Sequence, residues 1–509
     1  MSRPFNFRST IAPAVLLAAA LLPARLSAQD SFGFGFGDDA SAPAASSPAS
    51  VSVTGTAEAS VLGYFDELDS AAKASDYSAG NLFSGSLGFS ASASNAEASV
   101  GLELDPSSAT PVSLGEAWVK TFWGRLDIEA GLKKLTWGKA DSEGPLDAIN
   151  PLDYSDLTIV DQMERKIARP LVHATFAAGS FTRVEGVFLP AFKPNSLAYS
   201  GRWAPAALSG FTGSMEAAAT KAASSAVMSL VLSGALDPTD AAAVSELRGA
   251  LETSLTASTA DLEEEGIEYF LPDTDSLTYA QYGLRLTTTL GSQDLGFQYF
   301  SGNLREPSVS VDSANLFEID LEPTDLADST MTFNPEAVTV SYDRYHQLGA
   351  DWAAVLAGFN ARAEAAVNLT SDLSGDDGSV ANPSFLWSVG FDRDLFARIN
   401  LNAQGSGSVR LMHDKLGASP EDCEGGSDIS STRLITRLSR TFLRDEIEAS
   451  FTGILGLEDA DWLLMPELVW TRGDAAVSAR AGFFGGDEEG NLGQYRDNGY
   501  ATVSMRYNF

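Results

Sequence analysis

Along most of this chain, apolar and polar residues alternate one by one. The stretch 397–411 (ARINLNAQGSGSVRL) is the clearest case. Ala397, Ile399, Leu401, Ala403, Gly405, Gly407, Val409 and Leu411 share one face, and Arg398, Asn400, Asn402, Gln404, Ser406, Ser408 and Arg410 share the other. A period of two marks a β-strand whose two sides meet different surroundings. Soluble sandwich strands rarely sustain it so long, whereas a tilted membrane-crossing strand needs about 9–11 residues plus its ends. The same division recurs at 95–104 (NAEASVGLEL) and in the final strand, YATVSMRYNF, where Ala501, Val503, Met505, Tyr507 and Phe509 oppose Thr502, Ser504, Arg506 and Asn508.

The connections alternate too. Tight turns are expected at 472–474, 443–445, 393–394, 291–293, 178–180 and 123–124, and long polar loops near 66–80, 138–168, 191–277, 302–334, 371–383, 412–430 and 486–496, with shorter loops at 105–113 and 456–461. Outer-membrane barrels have short periplasmic turns and longer external loops. The pattern predicts an all-β fold: a transmembrane antiparallel β-barrel of about 18 strands, with both termini periplasmic and a lumen wide enough for water.

Residues 211–265 break the rhythm. MEAAATKAASSAVMSLVL is Ala-rich with strong helix propensity, Asp237-Pro238 interrupts it, and Val244, Leu247, Leu251 and Leu255 then fall on one helical face. This predicts an α-helical insertion in one long external loop. It is either a lid packed on the barrel rim or a gate that dips into the lumen.

Composition refines this picture. Hydrophobic residues make up 44% of the 509, and the mean hydropathy is −0.03. A barrel hides its membrane signal in this way, because only alternate residues meet lipid. Arg3 and Arg8, the apolar run Ile11 to Leu22 and Leu26-Ser27-Ala28 read as a signal peptide over residues 1–28, too short to span a bilayer. Residues 29–50 read as a flexible Gly/Ser/Ala/Pro leader, and 51–509 as the barrel. Cys423 is the one cysteine, so a disulfide scaffold within the chain is excluded. The net charge is −35, which argues against nucleic acid as a partner.

Signs of chemistry are sparse. There is no HExxH, P-loop or G-x-S-x-G, and FGFGFG follows no strand. His173, His346 and His413 are the only histidines, and His173 is expected to point inward as wall lining. DLSGDDGS (Asp372, Asp376, Asp377) lacks the glycine and distant glutamate of a calcium loop. No catalytic residue, metal site or cofactor is expected. The lumen carries the candidate function instead. Alternation turns Glu58, Glu97, Glu103, Glu116, Asp127 and Glu129 inward from the first strands, and Arg398, Arg410, Arg433, Arg437, Arg480 and Arg506 from the last. These acidic and basic walls either set a transverse field or pair with one another.

Residues 114–176 resemble a known family. LGEAWVKTFWGRLDIEAGLKKLTWGKADSEGPLDAINPLDYSDL holds Gly131, then Trp137-Gly138, Asp141 and Asn150-Pro151-Leu152-Asp153. This is similar to a domain-of-unknown-function family of porin-like outer-membrane barrels with a G-x-x-x-x-x-W-G-x-x-D…N-P-x-D pattern. The resemblance implies an outer-membrane location and transport, and names no substrate. Trp137 is expected in an aromatic girdle at the outer rim. The acidic loop after it (Asp141, Asp147, Asp153, Asp156) is expected to fold back into the mouth rather than coat the surface.

The expected function is a porin-like channel for passive passage of a small polar solute. Facilitated movement of a lipid or other hydrophobic molecule, and a surface adhesin or structural barrel, stand as alternatives. Expected partners are membrane lipids, the solute, and the barrel-assembly machinery, which would read Val503, Met505, Tyr507 and Phe509. A homo-oligomer is compatible with this reading.

Overall fold

The computed structural model describes residues 50–67, 83–106, 108, 110–209, 211–259, 269–418 and 422–509. The expected signal peptide, nearly all of the leader and most of the 66–80 loop lie outside the described residues. Eighteen strands form one sheet, each antiparallel to the strand before it. The first nine are β1 (Ser50–Tyr64), β2 (Phe83–Ser92), β3 (Ala96–Leu104), β4 (Val112–Trp123), β5 (Leu126–Lys133), β6 (Arg169–Ala177), β7 (Thr182–Leu189), β8 (Gln281–Leu290) and β9 (Gln293–Asn303). The rest are β10 (Arg344–Leu356), β11 (Phe359–Thr370), β12 (Ser384–Asp394), β13 (Asn400–Arg410), β14 (Ser430–Phe442), β15 (Ile447–Gly456), β16 (Trp462–Arg472), β17 (Ala475–Gly485) and β18 (Tyr500–Asn508). β18 pairs with β1 from Thr56↔Asn508 to Tyr64↔Tyr500, which closes the barrel. Closure leaves no long unpaired edge, the condition for placing a sheet where water is absent.

All tight connections gather at one rim and all long ones at the other, as the alternation of turns and loops predicts. The tight turns use left-handed residues, among them Gly124, Gly291, Gly358 and Gly473. One turn differs from expectation. β12 continues through Asp394, and the chain reverses at 395–399, with Ala397 (φ 58°) and Arg398 (φ 57°) left-handed. Arg398 therefore sits in a turn and not on the lumen wall. Its position continues the alternation in sequence, but a backbone in this conformation no longer does so in space.

The outer face is apolar and exposed. Val53, Val61, Phe89, Leu284, Phe297, Leu348, Val389, Leu468, Val503 and Met505 all stand there without cover. An apolar belt of this extent on a closed barrel suits hydrocarbon, not water. Aromatic rings edge it. Trp123, Phe176, Trp470, Tyr507 and Phe509 lie toward the turn rim, and Tyr282 and Tyr299 toward the loop rim. Phe509 continues the β1–β18 ladder, exchanging main-chain hydrogen bonds with Gly55 at 2.8 and 3.0 Å.

The helical insertion occupies the loop between β7 and β8, as α1 (Phe211–Leu232) and α2 (Ala241–Ser258). Asp240 caps α2, accepting from the Ala242 and Ala243 N–H groups. The surface that receives its leucine stripe is not the barrel wall. Leu247 and Leu251 pack with Met331, Phe317 and Leu326 of the β9–β10 loop, whose short hairpin pairs 317–320 with 330–333. Ser254 Oγ bonds the Met331 main chain at the same contact. No described helix is long and apolar enough to cross a membrane.

Gly131 in β5 faces Trp118 of β4 at φ +142°, and a Cβ there would lie 2.2 Å from the Ala117 oxygen. Gly131→Ala should destabilise the refolded barrel by about 2–4 kcal/mol, combining backbone strain with a main-chain clash. A lowered urea midpoint in detergent, with unchanged slope, is the expected readout.

Candidate functional site

Two stretches of the inner wall are unlike. From β8 round to β13 it carries a set of buried polar side chains: Arg285, Gln298, Gln347, Asp351, Glu364 and Gln404. Across β1 to β3 the inward positions are Ser52, Thr54, Thr56, Ser84, Ser86, Ser90, Ser99 and the glutamates, and all keep contact with solvent. The cover over the first stretch is the loop joining β5 to β6, residues 134–168, which folds into the lumen as expected.

The loop is held by its main chain. Glu364 of β11 accepts the N–H groups of Lys139, of Ala140 at 2.7 Å and of Leu146 at 3.4 Å. Gln404 of β13 accepts from the Asp141 and Ser142 N–H groups and donates to the Glu143 carbonyl. Gln298 and Gln347 donate to the Leu146 and Pro145 carbonyls at 3.0 Å each. Charges add to this frame. Asp141 meets Arg362 and accepts from Asn402, and Lys139 lies 3.0 Å from Asp351, which also binds Arg285 at 2.6 Å. Asp351 and Glu364 stand directly opposite each other on β10 and β11. Like charges so placed repel. Lys139 and the three N–H donors come from the loop, so the segment that buries these carboxylates also brings them partners, beside the wall's own Arg285.

The residues of the sequence motif form this loop's frame. Trp137 is 2% exposed, packed with Ile149, Leu171, Val187 and Phe300 inside the barrel, and its Nε1 donates to Glu185 at 3.2 Å. The rim girdle expected for it is therefore incorrect. An inward indole here covers the apolar floor under the loop's first residues, a role that adjacent sequence does not reveal. Gly138 (φ +98°) passes so close to Glu364 that a Cβ would lie 2.5 Å from the carboxylate. Asn150 is fully buried and ties both feet of the loop together, accepting from Leu135 N–H and donating to the Lys133 and Ile167 carbonyls at 2.7–2.9 Å. Pro151 follows it, its carbonyl accepting from Ile167 N–H, and Asp153 closes a turn on Ser155 N–H. Lys166 and Asp147 form a buried pair at 2.7 Å. Burial pushes the Asp147 carboxyl up and the Lys166 ammonium down, against their mutual attraction. Burial and the neighbouring Glu143 carboxylate raise the Tyr154 hydroxyl.

The lumen charges mostly meet partners close by. Glu129 binds Lys133 at 2.6 Å and Lys120 at 3.1 Å, and inward-facing His173 lies between Glu129 and Glu185. Asp127 is 3.7 Å from Lys120, and Glu116 accepts the Lys134 N–H. Glu58 and Arg506 join the two walls across the closing seam at 2.7 Å. Arg437 instead pairs with Glu448, Arg480 with Glu467, and Arg410 with Glu424 of a loop. Arg433 faces inward opposite Ser406, and Glu97 and Glu103 face inward from β3. The partners Glu448 and Glu467, and the whole anchoring set on β8 to β13, were missed from the sequence. Their signal was an excess of inward Gln, Asn and carboxylate on those strands.

Among the described residues no group of His, Cys, Asp and Glu could hold a metal ion. Asn150→Ala would remove the side-chain partner of two carbonyls and one N–H. It should cost about 2–4 kcal/mol, and proteolysis of the folded barrel should then cut within 139–165, where the native protein resists.

Solved structures with a similar fold include OccAB4 of Acinetobacter baumannii (9% identity, 90% of this chain and 98% of that chain, TM-score 0.45). OccK5 (OpdH) of Pseudomonas aeruginosa is another (9%, 91% and 98%, TM-score 0.42). A third is Wzi of Escherichia coli, described as an outer-membrane carbohydrate-binding β-barrel involved in capsule assembly (10%, 90% and 84%, TM-score 0.41). No curated protein matches. The family described as protein of unknown function DUF1302 matches residues 51–475, from the first strand through the in-folded loop and on to β17, and the chain belongs to it.

Proposed function

We propose that this protein is an outer-membrane porin-like channel, through which small polar solutes pass passively beside the in-folded loop. One observation carries the reading. The loop covers the lumen wall from β8 to β13, while the hydroxyl-rich wall of β1 to β3 keeps its contact with solvent. A polar, wet strip beside a fixed constriction selects by size and hydration, with no chemical step. His173 is clasped by two carboxylates rather than set beside a serine or cysteine nucleophile, which supports passage without catalysis. Targeting by a signal peptide, periplasmic placement of the turn rim and recognition of the final strand by the assembly machinery belong to the same proposal. The exposure of Val503, Met505, Tyr507 and Phe509 on the outer face supports the last of these. One observation favours the hydrophobic-cargo alternative, namely the cluster of Tyr64, Trp203, Phe484, Tyr495 and Tyr500.

The refolded protein should conduct in planar bilayers, and its absence of conductance would overturn the channel reading. Glu364→Ala removes the acceptor of three loop N–H groups and should raise single-channel conductance. An unchanged value would mean that the loop does not set the pore size. Arg437→Ala leaves Glu448 without its partner and should shift the reversal potential toward cation preference, whereas Arg398→Ala, in a turn, should leave it unmoved.

A further inference from the structure

On the wall opposite the loop's anchor lies a second apolar centre. Tyr64 ends β1, Leu463 and Met465 lie on β16, Phe484 on β17, Tyr495 in the β17–β18 loop and Tyr500 at the start of β18. Their common contact is Trp203, brought in from the β7–β8 loop. Its ring centre is 5.5 Å from Phe484, 5.6 Å from Tyr495, 6.2 Å from Tyr64 and 6.4 Å from Tyr500. Tilted and edge-on rings at these distances attract beyond simple burial. One indole thus fills a socket built by rings from three strands and a loop.

Two features exceed what packing a tryptophan requires. First, Tyr500 is 0% exposed, and its hydroxyl has no hydrogen-bond partner among the described residues. A buried tyrosine hydroxyl ordinarily finds one, because leaving it unpaired is costly. Arg480, Glu467 and Asp156 lie within electrostatic reach of it, so it marks the border between the apolar socket and a polar strip. Second, the wall behind the socket is locally unpaired. The β16–β17 register runs continuously except at Met465 and Pro466, where the pairing is skipped. Pro466 has no N–H to offer the ladder. The Tyr500 ring lies over Gly482, the residue that would face Met465 across this gap, with Cε1 2.2 Å from the position of a Cβ.

Trp203 reaches the socket on a strap whose Arg202 pairs with Asp66 at 2.8 Å and lies over the Tyr64 ring. Tyr495 donates to the Trp203 carbonyl at 3.3 Å, Asn498 to the Arg202 carbonyl at 2.6 Å, and Gln494 accepts from Ala206 N–H. These three partners lie in the β17–β18 loop, which stays as part of the socket, so Trp203 leaves by giving up these bonds and the Arg202–Asp66 pair.

We infer that this socket is a binding site for a planar apolar molecule bearing one hydrogen-bonding group, in which Trp203 is the resident stopper and Tyr500 the polar contact. The bound molecule takes the place of the indole and supplies the partner that the Tyr500 hydroxyl lacks. This goes beyond the channel reading and stands or falls separately from it, because its test measures binding and not conductance.

The test uses the full chain refolded in lipid nanodiscs, with 2-naphthol as probe and naphthalene as its matched apolar control. Trp203→Ala should bind 2-naphthol saturably and at least about tenfold more tightly than the native protein, which is ~1.4 kcal/mol. Adding Tyr500→Phe should lower 2-naphthol affinity about fivefold and leave naphthalene unchanged, the loss of one hydrogen bond. Trp203→Leu is the second variant, keeping some apolar volume should the alanine form fail to refold, and it too should bind 2-naphthol more tightly than the native chain. Equal 2-naphthol affinity in the native and Trp203 variants overturns the proposal. So does an unchanged preference for 2-naphthol over naphthalene after Tyr500→Phe.

Discussion

A strand with an apolar outer face has only other strands to satisfy its backbone donors and acceptors. A row left open on that side would cost several kcal/mol per group in hydrocarbon. Everything else in this molecule depends on meeting that demand by closure. β18 returns to pair with β1, the even number of strands making that pair antiparallel, and the up-and-down order puts all turns at one end and all loops at the other. The loops then have no sheet edge to cover and only two places to go, outward or into the lumen.

The β5–β6 loop goes inward, and the price of that course is polar. A segment buried inside a barrel must find partners for its own peptide groups. Here the wall supplies them with side chains, Glu364, Gln298, Gln347 and Gln404 each meeting main-chain groups of the loop. The dependence is mutual. Asp351 and Glu364 face each other across neighbouring strands, and the loop that buries them also brings them a lysine and amides, beside the wall's own Arg285. The β7–β8 insertion solves the same problem differently. Its helices satisfy their own backbones, so they need only an apolar surface, and the β9–β10 loop provides one.

The candidate site was half legible. Trp137, Gly138, Asp141 and Asn150 stand out because they lie close together in sequence and break the strand rhythm. Their counterparts do not. Glu364 and Gln404 lie more than two hundred residues away and look like any inward polar position of a wet barrel. Trp203 gives no local sign either, since nothing in GRWAP marks a ring that will sit among Tyr64, Phe484 and Tyr500. Charge showed the same limit. Alternation told which side Arg437 and Arg480 face, but the pairs with Glu448 and Glu467 arise from register between neighbouring strands.

What the sequence determined by itself was everything carried by the period of two: strand identity, inside against outside, the count near eighteen, and the separation of turns from loops. These follow from backbone geometry that acts between adjacent residues. The tertiary structure alone decided where the long loops go, which stretch of the wall they bury and which rings meet. Such choices depend on residues brought together by closure from distant parts of the chain. Arg398 marks the boundary between the two kinds of information. It keeps perfect alternation in sequence, yet it lies in a turn, because two successive left-handed residues reverse the chain before the alternation can reach the wall.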